Sequence, residues 1–187
     1  MADLPLILAS SSPRRRQLLA EHGYVFQVVP PHDWAECGVC SRETPPELVA
    51  RLAYQKAKDV AERTETGIVI GCDTVAECCG LILGKPKNRE HAREMLALLR
   101  GREHHVYSGL CLWRRPGEEH HVQVDVTKLI MDQLSDEQIE TYLNTDLWEG
   151  KAGAFGYQDG NDWVRVLSGS ESNVVGLPME LLARMLT

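Results

Sequence analysis

The chain has no apolar run long enough to cross a membrane, and its first residues lack the basic n-region and apolar h-region of a secretory leader. Both absences point to a cytoplasmic protein. Positive charge is also scarce. Lys and Arg number 20 against 27 Asp and Glu, a formal charge of −7, which argues against non-specific binding to a nucleic-acid backbone. No repeat, low-complexity tract or linker divides the 187 residues, so they are read as a single domain, 1–187. Three catalytic signatures are missing too. There is no G-x-x-x-x-G-K-[ST] for a P-loop kinase or GTPase, and no G-x-G-x-x-G after a strand. Ser10 to Ser12 lack the G-x-S-x-G surround of a hydrolase nucleophile, so covalent catalysis has little support. What remains, at 43% hydrophobic and 25% charged residues, is an ordinary globular composition.

Six cysteines are present, and a cytoplasmic setting makes structural disulfides unexpected. Cys37-Gly-Val-Cys40 has C-x-x-C spacing. A zinc site needs two further ligands, for which His32, Cys78, Cys79 and the His104-His105 pair are the candidates. The preferred reading is two small residues in a polar loop.

The most informative stretch is Leu6 to Arg16. The apolar run Leu6–Ala9 reads as a short buried strand, Ser12 as an N-cap, and Pro13 as the first helical residue, where a missing N–H is harmless. Arg14, Arg15 and Arg16 then crowd the positive end of the helix dipole, where each cation is unfavourable by about 0.3–1 kcal/mol. Backbone N–H groups, hydroxyls and guanidinium groups converging on one spot suit an anion, phosphate above all. The plainer alternative is a surface helix with solvated arginines.

Further along, the spacing predicts a helix over 13–22, a strand over 24–29 and a polar loop over 32–44. A helix from the Thr44–Glu47 capping box to about Arg63 follows. Lys56 falls on its apolar line Leu48–Leu52–Lys56–Val60, so either its stem snorkels or its ammonium has a fixed anionic partner. Gly67 to Thr74 reads as a buried strand whose carboxyl end carries Asp73 and Thr74, the place where open α/β sheets bind ligands. A hairpin near Gly80, a helix capped by Asn88, a long hairpin over 104–131, a short helix from Ser135, a strand over 163–167 and a final helix from Pro178 complete the pattern. Early strand–helix alternation with a central hairpin predicts an α/β fold whose mixed central sheet is flanked by helices.

Several polar groups fall where structure alone does not ask for them: the arginine run, Lys56, Asp73, Lys85 between glycine and proline, and Gln158 in a glycine-rich loop. Singly, Asp73, Lys85 and Gln158 read as a turn cap, a solvated hairpin residue and loop surface. Together they suit a polyphosphate with a metal ion: cations for the phosphate charge, a carboxylate for the metal or the attacking water.

With these residues in hand, the chain resembles the Maf family of nucleoside-triphosphate pyrophosphatases. The match rests on Leu8-Ala-Ser-Ser-Ser-Pro-Arg-Arg15, Arg51-Leu-Ala-x-x-Lys-Ala57, Gly71-Cys-Asp-Thr74, Gly84-Lys-Pro86, Ala152-Gly-Ala-Phe-Gly-Tyr-Gln158 and Val175-Gly-Leu-Pro178. The resemblance implies a Maf/ITPase-like fold with two lobes around a deep cleft. It also implies a divalent cation (Mg or Mn) as cofactor, and a homodimer. The implied reaction is hydrolysis between the α- and β-phosphates, giving a nucleoside monophosphate and pyrophosphate in a house-cleaning role. By resemblance the general base falls on Asp73, and the phosphate contacts on Ser10, Arg14, Arg15, Lys56 and Lys85. Arg14, Thr74 and Gln158 fall on the positions that set base preference. Their forms here resemble the branch acting on dTTP and UTP. One position departs: where the family carries an acidic pair, this chain has Ala35, flanked by Asp33 and Glu36. Glu36 is the preferred substitute and, with Asp73, the expected metal ligand set.

Two rival readings stand beside this one. A non-catalytic nucleotide-binding regulator of cell division gives no product, and a phosphatase releases orthophosphate.

Overall fold

The computed structural model describes residues 4–36 and 42–187, and of Glu36 the backbone only. In chain order the elements are β1 (Leu6–Ala9), α1 (Pro13–Glu21), β2 (Phe26–Val28), a 3-10 turn (Asp33–Glu36), α2 (Pro45–Ala61), β3 (Gly67–Cys78) and β4 (Leu81–Leu83). Then come α3 (Arg89–Leu99), β5 (Glu103–Arg115), β6 (His120–Met131), α4 (Asp136–Leu143), a 3-10 turn (Ala152–Ala154), β7 (Val164–Ser168), α5 (Glu171–Val175) and α6 (Met179–Leu186).

Local chemistry explains most of these boundaries. The Glu47 carboxylate accepts the backbone N–H of Thr44 at 2.8 Å and its hydroxyl at 2.7 Å, closing the start of α2. Asn88 accepts the N–H of His91 at the start of α3, and Ser135 accepts that of Gln138 at the start of α4. Ser12 precedes α1 with Pro13 at its first position, but its side chain makes no capping hydrogen bond. Strand two is shorter than expected, Phe26–Val28. The five-residue α5 has too little length for a periodic signal, and only its cap, Ser170 accepting from the N–H of Asn173, marks it.

Among the described residues the strands form one seven-stranded mixed sheet in the order β2-β1-β3-β5-β6-β7, with β4 added to β3. β1 is parallel to β2 and β3, and the remaining pairs are antiparallel. One face of the sheet packs Val69, Cys111 and Trp113 against Ala53, Ala57 and Val60 of α2. The other packs Ile70, Cys72, Leu110 and Leu112 against Leu18 and Leu19 of α1 and Leu181 and Leu182 of α6. A third cluster gathers α3, α4 and the far ends of β3 and β6.

Two glycines set the distance between α2 and the sheet. A Cβ on Gly71 would lie 2.3 Å from the Ala53 carbonyl oxygen, and one on Gly109 would lie 2.1 Å from that of Val49. Only a bare backbone admits the helix so closely. Because side chains alternate along a strand, Asp73 shares the face of Gly71 and meets the same helix.

The expectation that β3 ends at Asp73–Thr74 is corrected: the strand runs on to Cys78. On one edge it pairs with β5 from Gly67 to Glu77. On the other edge β1 stops opposite Gly71, and β4 begins pairing only at Ala76. Residues 72–75 therefore face a gap between two neighbouring strands. The carboxyl ends of β1 and β4 both arrive at this gap, which places the Ser10–Arg15 turn on one side and Gly84-Lys85 on the other.

Candidate active site

All eight residues predicted to bind substrate or act on it, Ser10, Arg14, Arg15, Lys56, Asp73, Thr74, Lys85 and Gln158, line one cavity of about 390 Å³. That volume falls in the range of small-molecule sites, roughly 300–1,000 Å³. These eight come from five separate segments, and the gap in the edge of β3 lets Asp73 reach the cavity from one face of the sheet and Thr74 from the other.

Lys56 resolves its alternatives in favour of a partner. Its ammonium lies 2.7 Å from Asp73 Oδ1, with 5% of the lysine side chain and 15% of the aspartate side chain exposed. Among the described residues, Asp73 Oδ2 takes no hydrogen bond.

Arg15 laces three segments together. Its Nε donates to the Gly176 carbonyl at 2.7 Å, Nη1 to Ser10 Oγ at 3.3 Å and Nη2 to Thr74 Oγ1 at 3.2 Å. Ser10 Oγ also accepts the Ser12 N–H at 3.1 Å, and Thr74 Oγ1 lies 2.8 Å from Ser108 Oγ. Arg15 thus orders both hydroxyls and the loop before α6. Arg14 is half-buried and reaches the Gly150 carbonyl at 3.2 Å. Burial, then repulsion from Arg15, presses its pKa below the ordinary arginine value, with the Asp159 carboxylate pulling the other way. Arg16 is exposed and does not line the cavity, so the solvated reading holds for it alone among the three arginines.

The charge balance of the cavity is uneven. Lys56 is paired with Asp73, and Lys151 with Asp159. Arg14, Arg15 and Lys85 also line it and have no carboxylate partner within ion-pair distance among the described residues. With Glu149 also on the wall, five cationic side chains meet three carboxylates, and that excess of positive charge suits a polyphosphate.

Sequence reasoning passed over Lys151 and Asp159. The lysine is buried, its ammonium contacts both carboxylate oxygens of Asp159, and both residues line the cavity. The available signal was a lysine and an aspartate bracketing the glycine-rich run, eight positions apart.

Comparison with known proteins decides the family. The family model described as Maf-like protein matches residues 5–187. The chain belongs to the Maf family. A curated relative from Rhodopirellula baltica, named dTTP/UTP pyrophosphatase, is 61% identical over 97% of this chain and 80% of its own length. Relatives of the same name from Caldanaerobacter subterraneus and Thermococcus kodakarensis are 42% and 41% identical. They cover 100% and 96% of this chain and 89% and 94% of their own. A solved HAM1 protein from Coxiella burnetii matches 98% of both chains with a TM-score of 0.54 at 14% identity, a likeness of fold alone.

Ala35 is buried, and Asp33 is exposed and does not line the cavity. The Glu36 side chain, Cys37 and Cys40 lie outside the described residues. Among the described residues no three His, Cys, Asp or Glu side chains gather as a metal site.

Proposed function

We propose that this chain hydrolyses dTTP, UTP or modified pyrimidine nucleotides at the α–β phosphoanhydride, giving the nucleoside monophosphate and pyrophosphate. The observation that carries the reading is the meeting, in one cation-lined cavity, of Asp73 held by Lys56 with the arginines of α1. The names of the relatives supply the substrate class.

Asp73 acts as general base. Its Oδ1 is fixed by Lys56, so Oδ2 is free to take a proton from the attacking water. The oxygen of that water bonds to the α-phosphorus, the bond to the bridging oxygen breaks, and pyrophosphate leaves. Arg14, Arg15, Lys56 and Lys85 stabilise the charge on the phosphates, and Arg15 also holds the hydroxyl of Ser10, which meets the phosphates, and that of Thr74, which meets the base. Gln158 and Thr74 read the base edge.

The donor set fits a hard divalent ion, Mg²⁺ or Mn²⁺, in the mode that uses one or two carboxylates and the substrate's own phosphates. Asp73 is the carboxylate at hand, and Glu36 enters as the second on the family resemblance. The ion would supply neutralisation of the triphosphate charge. The working unit is taken to be a homodimer, which light scattering tests.

The deciding experiment is a panel of nucleoside triphosphates with Mg²⁺ or Mn²⁺, reading both phosphate products. Pyrophosphate supports the proposal, orthophosphate indicates a phosphatase, and no product indicates a binding protein. Asp73→Asn is expected to abolish turnover while nucleotide binding survives; near-wild-type activity removes Asp73 as the base.

A further inference from the structure

Cys78 and Cys79 are consecutive in sequence and stand where β3 turns into β4. Their Sγ atoms lie 3.7 Å apart. Cys79 is exposed and Cys78 is buried. The Cys78 thiol lies 4.0 Å from the Leu98 carbonyl oxygen and 3.9 Å from that of Glu103, contacts suited to a weak S–H donor. The Glu77 carboxylate accepts the Gly80 N–H at 2.7 Å and fixes the turn. Cys79 itself has a φ of 54°, a conformation that glycine or asparagine adopts with less strain. Neither cysteine lines the cavity, so the pair is no part of the site described above.

The separation of the sulfurs decides what the pair can hold. A direct S–S bond is about 2.05 Å long and joins Cα atoms about 4.4–6.8 Å apart. Consecutive Cα atoms stand only about 3.80 Å apart across a trans peptide, so a bond between these sulfurs would strain the turn. One atom inserted between them fits instead. Two bonds of the zinc–thiolate length, about 2.3 Å, meeting at a tetrahedral angle span about 3.8 Å.

The chemistry of the thiols selects that atom. Burial, then the hydrogen bond with Cys79, pushes the Cys78 thiol up to about 11. A dication needs both sulfurs as thiolates. Zinc needs four ligands, and among the described residues no three His, Cys, Asp or Glu side chains gather. A trivalent organic arsenical needs only two protein ligands, because its third bond goes to its own carbon. Its oxygen also carries off both thiol hydrogens.

We propose that Cys78 and Cys79 form a two-thiol site for trivalent organic arsenicals. With phenylarsine oxide, the exposed Cys79 sulfur bonds to arsenic and its hydrogen passes to the oxygen. Cys78, already 3.7 Å from that sulfur, forms the second As–S bond. The As–O bond breaks and water leaves with the Cys78 hydrogen. Arsenic stays trivalent and no oxidant is consumed. The second bond is intramolecular, so the adduct is held by a high effective concentration of thiol.

Cys37 and Cys40 are the other closely spaced pair in the sequence, so the test uses the whole chain carrying Cys37→Ser and Cys40→Ser. Cys72 and Cys111 are buried on opposite faces of the sheet and offer no further pair. The reduced protein is titrated with phenylarsine oxide in the presence of excess monothiol, and native mass spectrometry reads the adduct. One adduct per chain is expected, heavier by the reagent less one water and displaced by excess dithiol. Cys79→Ser lies at an exposed turn and is expected to weaken retention by about 10²–10⁴-fold, and Cys78→Ser equally. Absence of a monothiol-resistant adduct in the parent protein overturns the proposal. So does an adduct held as tightly after Cys79→Ser. Should Cys78→Ser not fold, the Cys79→Ser comparison decides alone.

Discussion

Lys56 and Asp73 meet at 2.7 Å across the interface of α2 and β3, and the cavity opens beside them. The lysine is almost wholly buried, while the aspartate keeps 15% of its side chain exposed. The pair fixes one carboxylate oxygen, the other takes no hydrogen bond among the described residues, and Asp73 lines the cavity.

Lys56→Met removes the group that holds Asp73, the proposed base. The expected loss in kcat for UTP is about 10²–10³-fold, the range seen when one preorganised charge-stabilising donor is removed. Breaking a fully buried pair destabilises by about 3–5 kcal/mol. Asp73 borders the cavity, so hydration limits the loss here to below about 3 kcal/mol. Steady-state kinetics with a urea denaturation curve separates the two effects, and wild-type kcat removes Lys56 from the mechanism.

Gly71→Ala tests the seating of α2. The added methyl would strike the Ala53 carbonyl and Ala57, one residue from Lys56. The helix must retreat, which overpacks the interface by about 1–3 kcal/mol and draws Lys56 away from Asp73. Stability and kcat are expected to fall together; a stability loss with full activity means the pair tolerates the shift.

Asp59 predicts an acid limb. It is buried on α2, accepting from the His32 backbone N–H at 2.9 Å and from Arg63 at 2.9 Å, with His32 Nδ1 at 2.8 Å. Burial raises its pKa, and the hydrogen bonds from His32 and Arg63 outweigh that and hold it below the ordinary value. A carboxyl depressed by folding contributes stability that is present above its unfolded pKa, about 3.9, and is lost as pH falls through the folded pKa. Denaturation midpoints measured from pH 5 to pH 3 are expected to fall less steeply in Asp59→Asn than in the wild type. Parallel curves would assign the acid limb to other groups.

Cys79 and Gly80 form the two-residue connection of the β3–β4 hairpin, with φ of 54° and 80°. Positive φ at both positions is the type I′ turn, which prefers Asn-Gly. A cysteine in that conformation is strained by about 1–2 kcal/mol. Cys79→Asn is expected to raise stability by up to about 1 kcal/mol, a Tm increase of about 2–4 °C for a chain of this size. Calorimetry reads the shift, and a lower Tm would mean that Cys79 makes compensating contacts.

Local signals were enough to find the helix starts at Thr44, Asn88 and Ser135, because a cap and its partner lie within one turn. They also flagged Lys56 as anomalous, since a charge on an apolar helical line is visible in the periodicity. The choice between a snorkelling stem and a paired ammonium was not visible, because the partner sits on another element. The Lys151–Asp159 pair was missed for the same reason: nothing between the two residues dictates that the loop closes on itself.

The arginine run and glycine stops determined where α1 lies and that its start should attract an anion. Whether β3 would end at Thr74 was a tertiary matter. Polar residues after an apolar run look like a strand end when the neighbours are unknown. Here β5 supplies hydrogen-bond partners along one edge as far as Glu77, so the strand continues through Asp73 and Thr74. On the other edge β1 stops at Ala9 and β4 arrives from the opposite direction. The cavity is the space those two strands leave unfilled. Its position depends on the lengths of two strands more than 70 residues apart in sequence, so no local stretch of the chain encodes it.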